Sequence, residues 1–234
     1  MSRRDHLQQL RDASPAILPS LLICDFGNLA REVELLAAAG VRALHLDVMD
    51  GRFVPNLTYG MPIVEGLRRL TDMTLDVHLM IEEPERYVQA FFDAGADLLT
   101  IHVEATADPG AVLSQIRELG MGAGAAINPS TPLSQLTACL DQCDLALVMS
   151  VEAGFGGQSF HPEALARARE VRQLAPDVLL EMDGGINQTT IQSVAEADVD
   201  LMVVGSAIFR APTYIEAVDQ LTSLARAGAR GRAS

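Results

Sequence analysis

Four residues stand where chemistry is possible: Asp47 in HLDVMDG, His45 two positions before it, His78 in LDVHLM, and Asp183 in EMDGGI. Carboxylates and imidazoles suit a divalent ion, and a metal beside two carboxylates supports proton removal next to a carbonyl. The set points to metal-assisted catalysis rather than to binding alone. Taken singly, each His reads as a satisfied strand-end residue and each Asp as a helix cap. Four such groups at the ends of three apolar runs outweigh that reading. Ligand type does not choose among Zn²⁺, Mn²⁺, Fe²⁺ and Co²⁺.

The elements that must carry these groups are legible as an alternation. Short apolar, often β-branched runs alternate with amphipathic stretches of about ten residues, the pattern of a parallel sheet with crossover helices. Strands are predicted at Ile17 to Leu22, Ala43 to Val48, Thr74 to Met80, Leu98 to His102, Gly122 to Ile127, Leu145 to Val151, Val178 to Asp183 and Leu201 to Gly205. Helices are predicted near Leu29 to Ala39, Ile63 to Leu70, Glu85 to Ala94, Pro109 to Leu119, Pro132 to Cys139, Pro162 to Leu174, Thr189 to Ala197 and Pro212 to Ala227. Prolines 84, 109, 132, 162 and 212 fit first helical turns, and Gly40, Gly95 and Gly120 follow helices as caps. Eight successive units without a linker-like break predict an α/β fold of the (β/α)8 barrel class, the TIM barrel.

In such a barrel, reactive groups sit at the carboxyl ends of the strands. Strand side chains alternate, so His45 and Asp47 share the interior face, as do Asp76, His78 and Met80, and Glu181 and Asp183. Glycines cluster after the last three strands: GFGGQ at Gly154 to Gln158, DGG at Asp183 to Gly185, and Gly205 with Ser206. Loops there commonly hold phosphate through backbone N–H groups, so a phosphorylated substrate is expected. Met49, Met80 and Met149 are placed to face the mouth, either as core filler or as a cover that keeps water from a reactive intermediate. His102 and Glu104 are candidates for support around the pocket.

At 234 residues and 49% apolar composition the chain can bury one sizeable core. One barrel domain is expected over 15–227, with an N-terminal extension at 1–14, partly ordered, and a tail at 228–234. A net charge of −14 argues against a nucleic-acid partner. The cysteines Cys24, Cys139 and Cys143 are too few and irregular for a secreted disulfide framework, which points to a reducing, cytoplasmic setting and to buried thiols. No run reaches the ~20 apolar residues that span a bilayer, and the charged opening lacks a secretory signal's apolar segment.

These motifs together resemble the ribulose-phosphate 3-epimerase family, from about Ile17 to Leu224. The resemblance rests on LPSLL followed by Asp25 and Phe26, HLDVMDGRFVPN, LDVHLM, MSVEAGFGGQSF, EMDGGI and VVGSAIF. It implies a barrel of the ribulose-phosphate-binding type that interconverts D-ribulose 5-phosphate and D-xylulose 5-phosphate in the pentose phosphate pathway. It implies one divalent ion, zinc first with iron, manganese or cobalt as alternatives, held by His45, Asp47, His78 and Asp183. Asp47 and Asp183 would also act as acid/base groups on opposite faces of the sugar. Ser20 and His78 would contact the sugar; Gly154, Phe155, Gly156, Gly157, Asp183, Gly184, Gly185, Gly205 and Ser206 would surround the substrate and its phosphate. Relatives commonly form homodimers or hexamers. The chain departs from the family at Ile23, where a small polar residue is usual, and at Glu152 and Ala153, where Asn-Pro is usual. A carboxylate pointing inward at Glu152 would repel a phosphate, and an exposed one would change little. The alternatives are epimerisation of another ketose phosphate, such as D-allulose 6-phosphate, and a catalytically silent phosphosugar-binding paralogue with a broken metal set.

Overall fold

The computed structural model describes residues 3–230. Eight strands, β1 (Ala16–Pro19), β2 (Ala43–Met49), β3 (Thr74–Met80), β4 (Leu98–His102), β5 (Gly122–Ile127), β6 (Leu145–Met149), β7 (Leu179–Asp183) and β8 (Leu201–Val204), pair in parallel. Their order is β1-β8-β7-β6-β5-β4-β3-β2. A parallel bridge between Ser20 and His45 ties β1's end to β2 and closes the sheet into a barrel. The helices are α1 (Arg3–Ala13), α2 (Leu29–Ala38), α3 (Met61–Leu70), α4 (Val88–Ala94), α5 (Pro109–Glu118), α6 (Ser134–Thr137), α7 (Glu163–Leu174), α8 (Ile191–Glu196), α9 (Ser206–Phe209) and α10 (Tyr214–Arg230).

Apolar burial occurs in two places because each strand has two covered faces. Outward residues such as Leu44, Leu46, Val77, Leu79 and Ile101 pack against the helix ring. Inward residues at the strands' amino ends, Leu18, Leu98, Leu145, Leu179 and Leu201, fill the barrel floor. Every residue of β2 and β3 is buried, as strands covered on both faces require. Helix α4 ends at Gly95, whose φ of 100° is a left-handed cap that a Cβ would oppose, with Arg68 Cγ only 2.6 Å from that position.

The stretch expected as an N-terminal extension forms α1 and plugs the floor. Leu7 and Leu10 join the inward cluster, while Arg3 donates to the Ala96 and Phe92 carbonyls at 2.8 Å and lies over the Phe92 ring. Leu10→Ala is expected to cost about 2–5 kcal/mol by leaving a cavity under the barrel. Urea unfolding checks this, and an unchanged midpoint would show that α1 contributes nothing to the core.

Differences from the expected boundaries have local causes. Strand β1 stops at Pro19 instead of reaching Leu22, because Ser20 turns the chain and accepts the Leu22 N–H with its side chain. The helix expected over Pro132 to Cys139 shrinks to α6, followed by a 3-10 turn over Leu140–Gln142. Helix α10 runs on to Arg230, so part of the expected tail is helical, and 231–234 lie outside the described residues. Cys24, Cys139 and Cys143 are free thiols. Among the described residues no helix is long and apolar enough to cross a membrane.

Candidate active site

Strand register assembles the site. Pairing of β2 with β3 sets His45 beside Asp76 and Asp47 beside His78, so two rungs of one ladder supply four polar side chains to the interior. Asp183 arrives from the carboxyl end of β7, with β8 and β1 between it and β2. Ligand atoms of His45, Asp47, His78 and Asp183 all lie within 4.8 Å of one another. The four residues expected from the sequence therefore converge on one point.

Beneath them the contacts are specific. His45 Nδ1 lies 2.6 Å from Asp76 Oδ2 and 3.2 Å from Glu181 Oε1, which turns Nε2 upward to 3.4 Å from Asp47 Oδ1. His45 is fully buried, and Nε2 has no hydrogen-bond partner. Ser20 Oγ donates to Asp47 Oδ2 at 2.6 Å, and His78 Nδ1 stands 3.3 Å from Asp47 Oδ1. Thr58 braces the end of β2 by donating to the Asp47 carbonyl and accepting the Met49 N–H. Asp76 and Glu181 have the interior parity read from the sequence. Their place as partners of His45 was not read, although LDVHLM and EMDGGI carried the alternation that puts them there.

Electrostatics mark the cluster as short of positive charge. Burial alone would raise the Asp47 carboxyl, but His45 and His78 outweigh it and hold Asp47 well below the usual carboxylate range. Burial would lower the His45 imidazole, yet the Asp47 and Asp76 carboxylates push it well above its ordinary value. Burial, then Asp47, pushes Asp183 up to about 7; burial, then Asp76, pushes Glu181 well above the carboxylate range. Burial and neighbouring negative charge thus favour the protonated forms of Asp183 and Glu181, while Asp47 stays ionised.

Above the cluster opens a cavity of about 440 Å³. Asp47 and Asp183 reach it from the floor, together with Ser20; His45 and His78 lie below, with no exposed surface. Met49, Met80 and Met149 form an apolar wall, as their parity implied. Gly154, Phe155, Gly156 and Gly157 line one side, with the Phe155 ring more than half exposed, and Gly184, Gly185, Gly205 and Ser206 line another. Ile23 also lines the cavity, and its side chain comes within 3.6 Å of where a Cβ on Gly156 would lie. Glu152 lines the cavity too, exposed to solvent, and its Oε1 accepts the Ser130 N–H at 3.1 Å.

Two glycines are required where β7 meets its loop. Gly184 has φ 112° and a Cβ there would sit 2.6 Å from Val151 Cγ2; Gly185 has φ 61° and its Cβ would sit 2.7 Å from Phe160 Cα. Gly185→Ala is expected to cost about 1–3 kcal/mol in backbone strain and to raise KM for a phosphorylated substrate by displacing the Phe160 segment. Paired urea and steady-state measurements check it, and an unaltered KM would separate this loop from substrate. The short helix α9, which begins at Ser206 beside Gly205, went unread because SAIF is a single turn without periodicity.

Residues 16–209 match the sequence model of the Ribulose-phosphate 3 epimerase family. A relative from Synechocystis sp., ribulose-phosphate 3-epimerase, is 51% identical over 208 residues, covering 86% of this chain and 90% of its own. The Bacillus subtilis protein of the same name is 43% identical over 210 residues, covering 88% and 97%. Among solved structures, 3-keto-L-gulonate-6-phosphate decarboxylase from Vibrio cholerae superposes with a TM-score of 0.70 at 20% identity over 91% of this chain and 98% of its own. 3-Hexulose-6-phosphate synthase from Salmonella typhimurium gives 0.69 at 16%, over 90% and 98%. At these identities the structural matches speak for the barrel alone. The barrel, the four convergent ligand-type side chains and the sequence matches over most of the chain agree, and the chain belongs to the ribulose-phosphate 3-epimerase family.

Proposed function

We propose that the protein inverts C3 of D-ribulose 5-phosphate to give D-xylulose 5-phosphate, and the reverse, with one divalent ion held by His45, Asp47, His78 and Asp183. The observation that carries this reading is the arrival of Asp47 and Asp183 in one cavity from opposite sides of the β1–β8 pair, beside a buried imidazole nitrogen with no partner. The donor set fits a cation. Asp76 occupies His45 Nδ1 and leaves Nε2, which has no hydrogen-bond partner, to point among the carboxylates. Two nitrogens and two carboxylates suit zinc first, with iron, manganese and cobalt as alternatives. The chemistry such an ion supplies is Lewis-acid stabilisation of negative charge on the substrate's oxygens, worth several kcal/mol.

The chain's own groups do the rest. Inversion beside a ketone needs a proton to leave one face and another to arrive on the opposite face, so two acid/base groups are required. Asp47 and Asp183 fill those positions, with the Ser20 hydroxyl fixing the orientation of Asp47. Met49, Met80 and Met149 exclude water from the carbon that loses its proton. Backbone N–H groups around Gly184, Gly185, Gly205 and Ser206 hold the phosphate.

The test is deuterium exchange at C3 in D₂O. The purified protein is expected to label D-ribulose 5-phosphate and to form D-xylulose 5-phosphate, with a lower kcat/KM on D-allulose 6-phosphate. Faster exchange on the six-carbon ketose would reassign the substrate, and no exchange on either would leave a binding protein.

A further inference from the structure

We propose that Asn128 and Asn56 are positioning residues for the substrate, acting by fixing the main chain at the foot of the GFGGQ loop. The inference rests on the reading above that the cavity takes a phosphorylated ketose. Residues 154–157 line one wall of that cavity, and three of these four are glycines. Gly154 and Gly157 take φ values of 126° and 78°, and glycine loses more freedom on ordering than any other residue. A wall of this composition does not hold its own shape, so its neighbours must hold it.

Two other loops supply the hold. Asn128, in the loop after β5, accepts the Ala153 N–H with Oδ1 at 3.0 Å. Asn56, in the loop after β2, donates from Nδ2 to the Gly154 carbonyl at 2.7 Å. One amide thus serves as acceptor and the other as donor, on successive residues. Close packing adds to the second grip, since a Cβ on Gly154 would lie 3.1 Å from Val54 Cβ and 3.7 Å from Pro55 Cδ. Beyond the foot, Gln158 Nε2 closes the loop on itself by donating to the Glu152 and Phe155 carbonyls at 2.8 and 2.9 Å.

Asn128 can serve as a post because it is itself fixed. Its backbone N–H donates to Glu104 Oε1 at 2.8 Å, its carbonyl accepts from Arg167 Nη2 at 3.2 Å, and its Nδ2 stands 3.4 Å from His102 Nδ1. The side-chain oxygen is the end that meets Ala153, and only an acceptor suits an N–H. The bond depends equally on Ala153. A proline there, as in the usual family pattern, has no N–H to give and restrains the loop through its fixed φ instead. In this chain Asn128 takes over that restraint, and Glu152, the other departure, adds a tie by accepting the Ser130 N–H at 3.1 Å.

A double-mutant cycle on KM for D-ribulose 5-phosphate tests the Asn128 link. Asn128→Ala should raise KM by about 3- to 10-fold, the usual worth of one hydrogen bond, and leave kcat within about twofold. The loop must then be ordered by binding, a cost that bound substrate and transition state share. Ala153→Pro removes the N–H, so adding Asn128→Ala to it should leave KM where Ala153→Pro put it. Equal effects of Asn128→Ala in both backgrounds would overturn the link, because the side chain would then act through His102 instead. Asn56→Asp keeps the shape but sets a carboxylate oxygen against the Gly154 carbonyl; KM should rise, and an unchanged value overturns the role of Asn56. Amide exchange followed by NMR on the ligand-free protein needs no substrate. Asn128→Ala should speed exchange at the Ala153 N–H by about 3- to 10-fold while strand amides keep their rates, and an unchanged rate at Ala153 overturns the proposal. Absence of turnover by the wild type would instead overturn the ketose reading, and the exchange rates judge the hold on the loop independently.

Discussion

Asp183→Asn is expected to lower kcat by about 10²- to 10⁴-fold, the usual worth of a positioned acid/base group. The substitution preserves shape, and Asp183 sits at the carboxyl end of β7 where its side chain opens onto the cavity, so the barrel should unfold at nearly the wild-type urea concentration. Asp47→Asn should cost as much in turnover and more in stability. Asp47 accepts from Ser20 and faces both His45 and His78, so an amide there disturbs three partners. The two variants together test the division of labour. If one aspartate serves each face of C3, each variant retains solvent exchange with one epimer while losing interconversion, and the retained epimer differs between them. Exchange that survives with both epimers in Asp183→Asn would remove that residue from the chemistry.

The site was legible in the sequence to the extent that strand parity determines it. His45 with Asp47 and Asp76 with His78 alternate within apolar runs, and a barrel's inner face must gather whatever such runs present. What parity cannot give is pairing across strands. Nothing in LDVHLM alone says that Asp76 reaches His45 rather than His78; the β2–β3 register does. The same limit left His102 and Glu104 as unspecified supports, because their partners, His78 and Asn128, belong to β3 and to the loop after β5. Fold elements were legible where periodicity was long, as in α5 and α7, and were lost where it was not. Helix α1 offers only Leu7 and Leu10 on a polar background, and tertiary contact with the barrel floor completes it. Strand β1 was read too long because Leu21, Leu22 and Ile23 are apolar, although Ser20 turns them into a 3-10 segment whose Leu22 and Ile23 line the cavity.

Treatment with a chelator is expected to reduce turnover to background, and added Zn²⁺, Mn²⁺, Fe²⁺ or Co²⁺ to restore it. Loss of a Lewis acid worth several kcal/mol corresponds to roughly a thousandfold or more in rate. Stability should move in the same direction. The metal-free site holds Asp47, Asp76, Asp183 and Glu181 around two buried imidazoles, and the upward shifts of Asp183 and Glu181 record how poorly burial tolerates that much negative charge. An ion that binds only the folded chain stabilises it by RT ln(1 + [L]/Kd), about 4 kcal/mol at a thousandfold excess over Kd. A thermal melt titrated with zinc should therefore rise steeply, and Asp183→Asn, which lacks one anionic ligand, should respond less at the same concentration. Activity and melting readouts fail in different ways. Full turnover in protein shown to be metal-free would end the metal mechanism, whereas a melt insensitive to zinc would place the ion elsewhere than on His45, Asp47, His78 and Asp183.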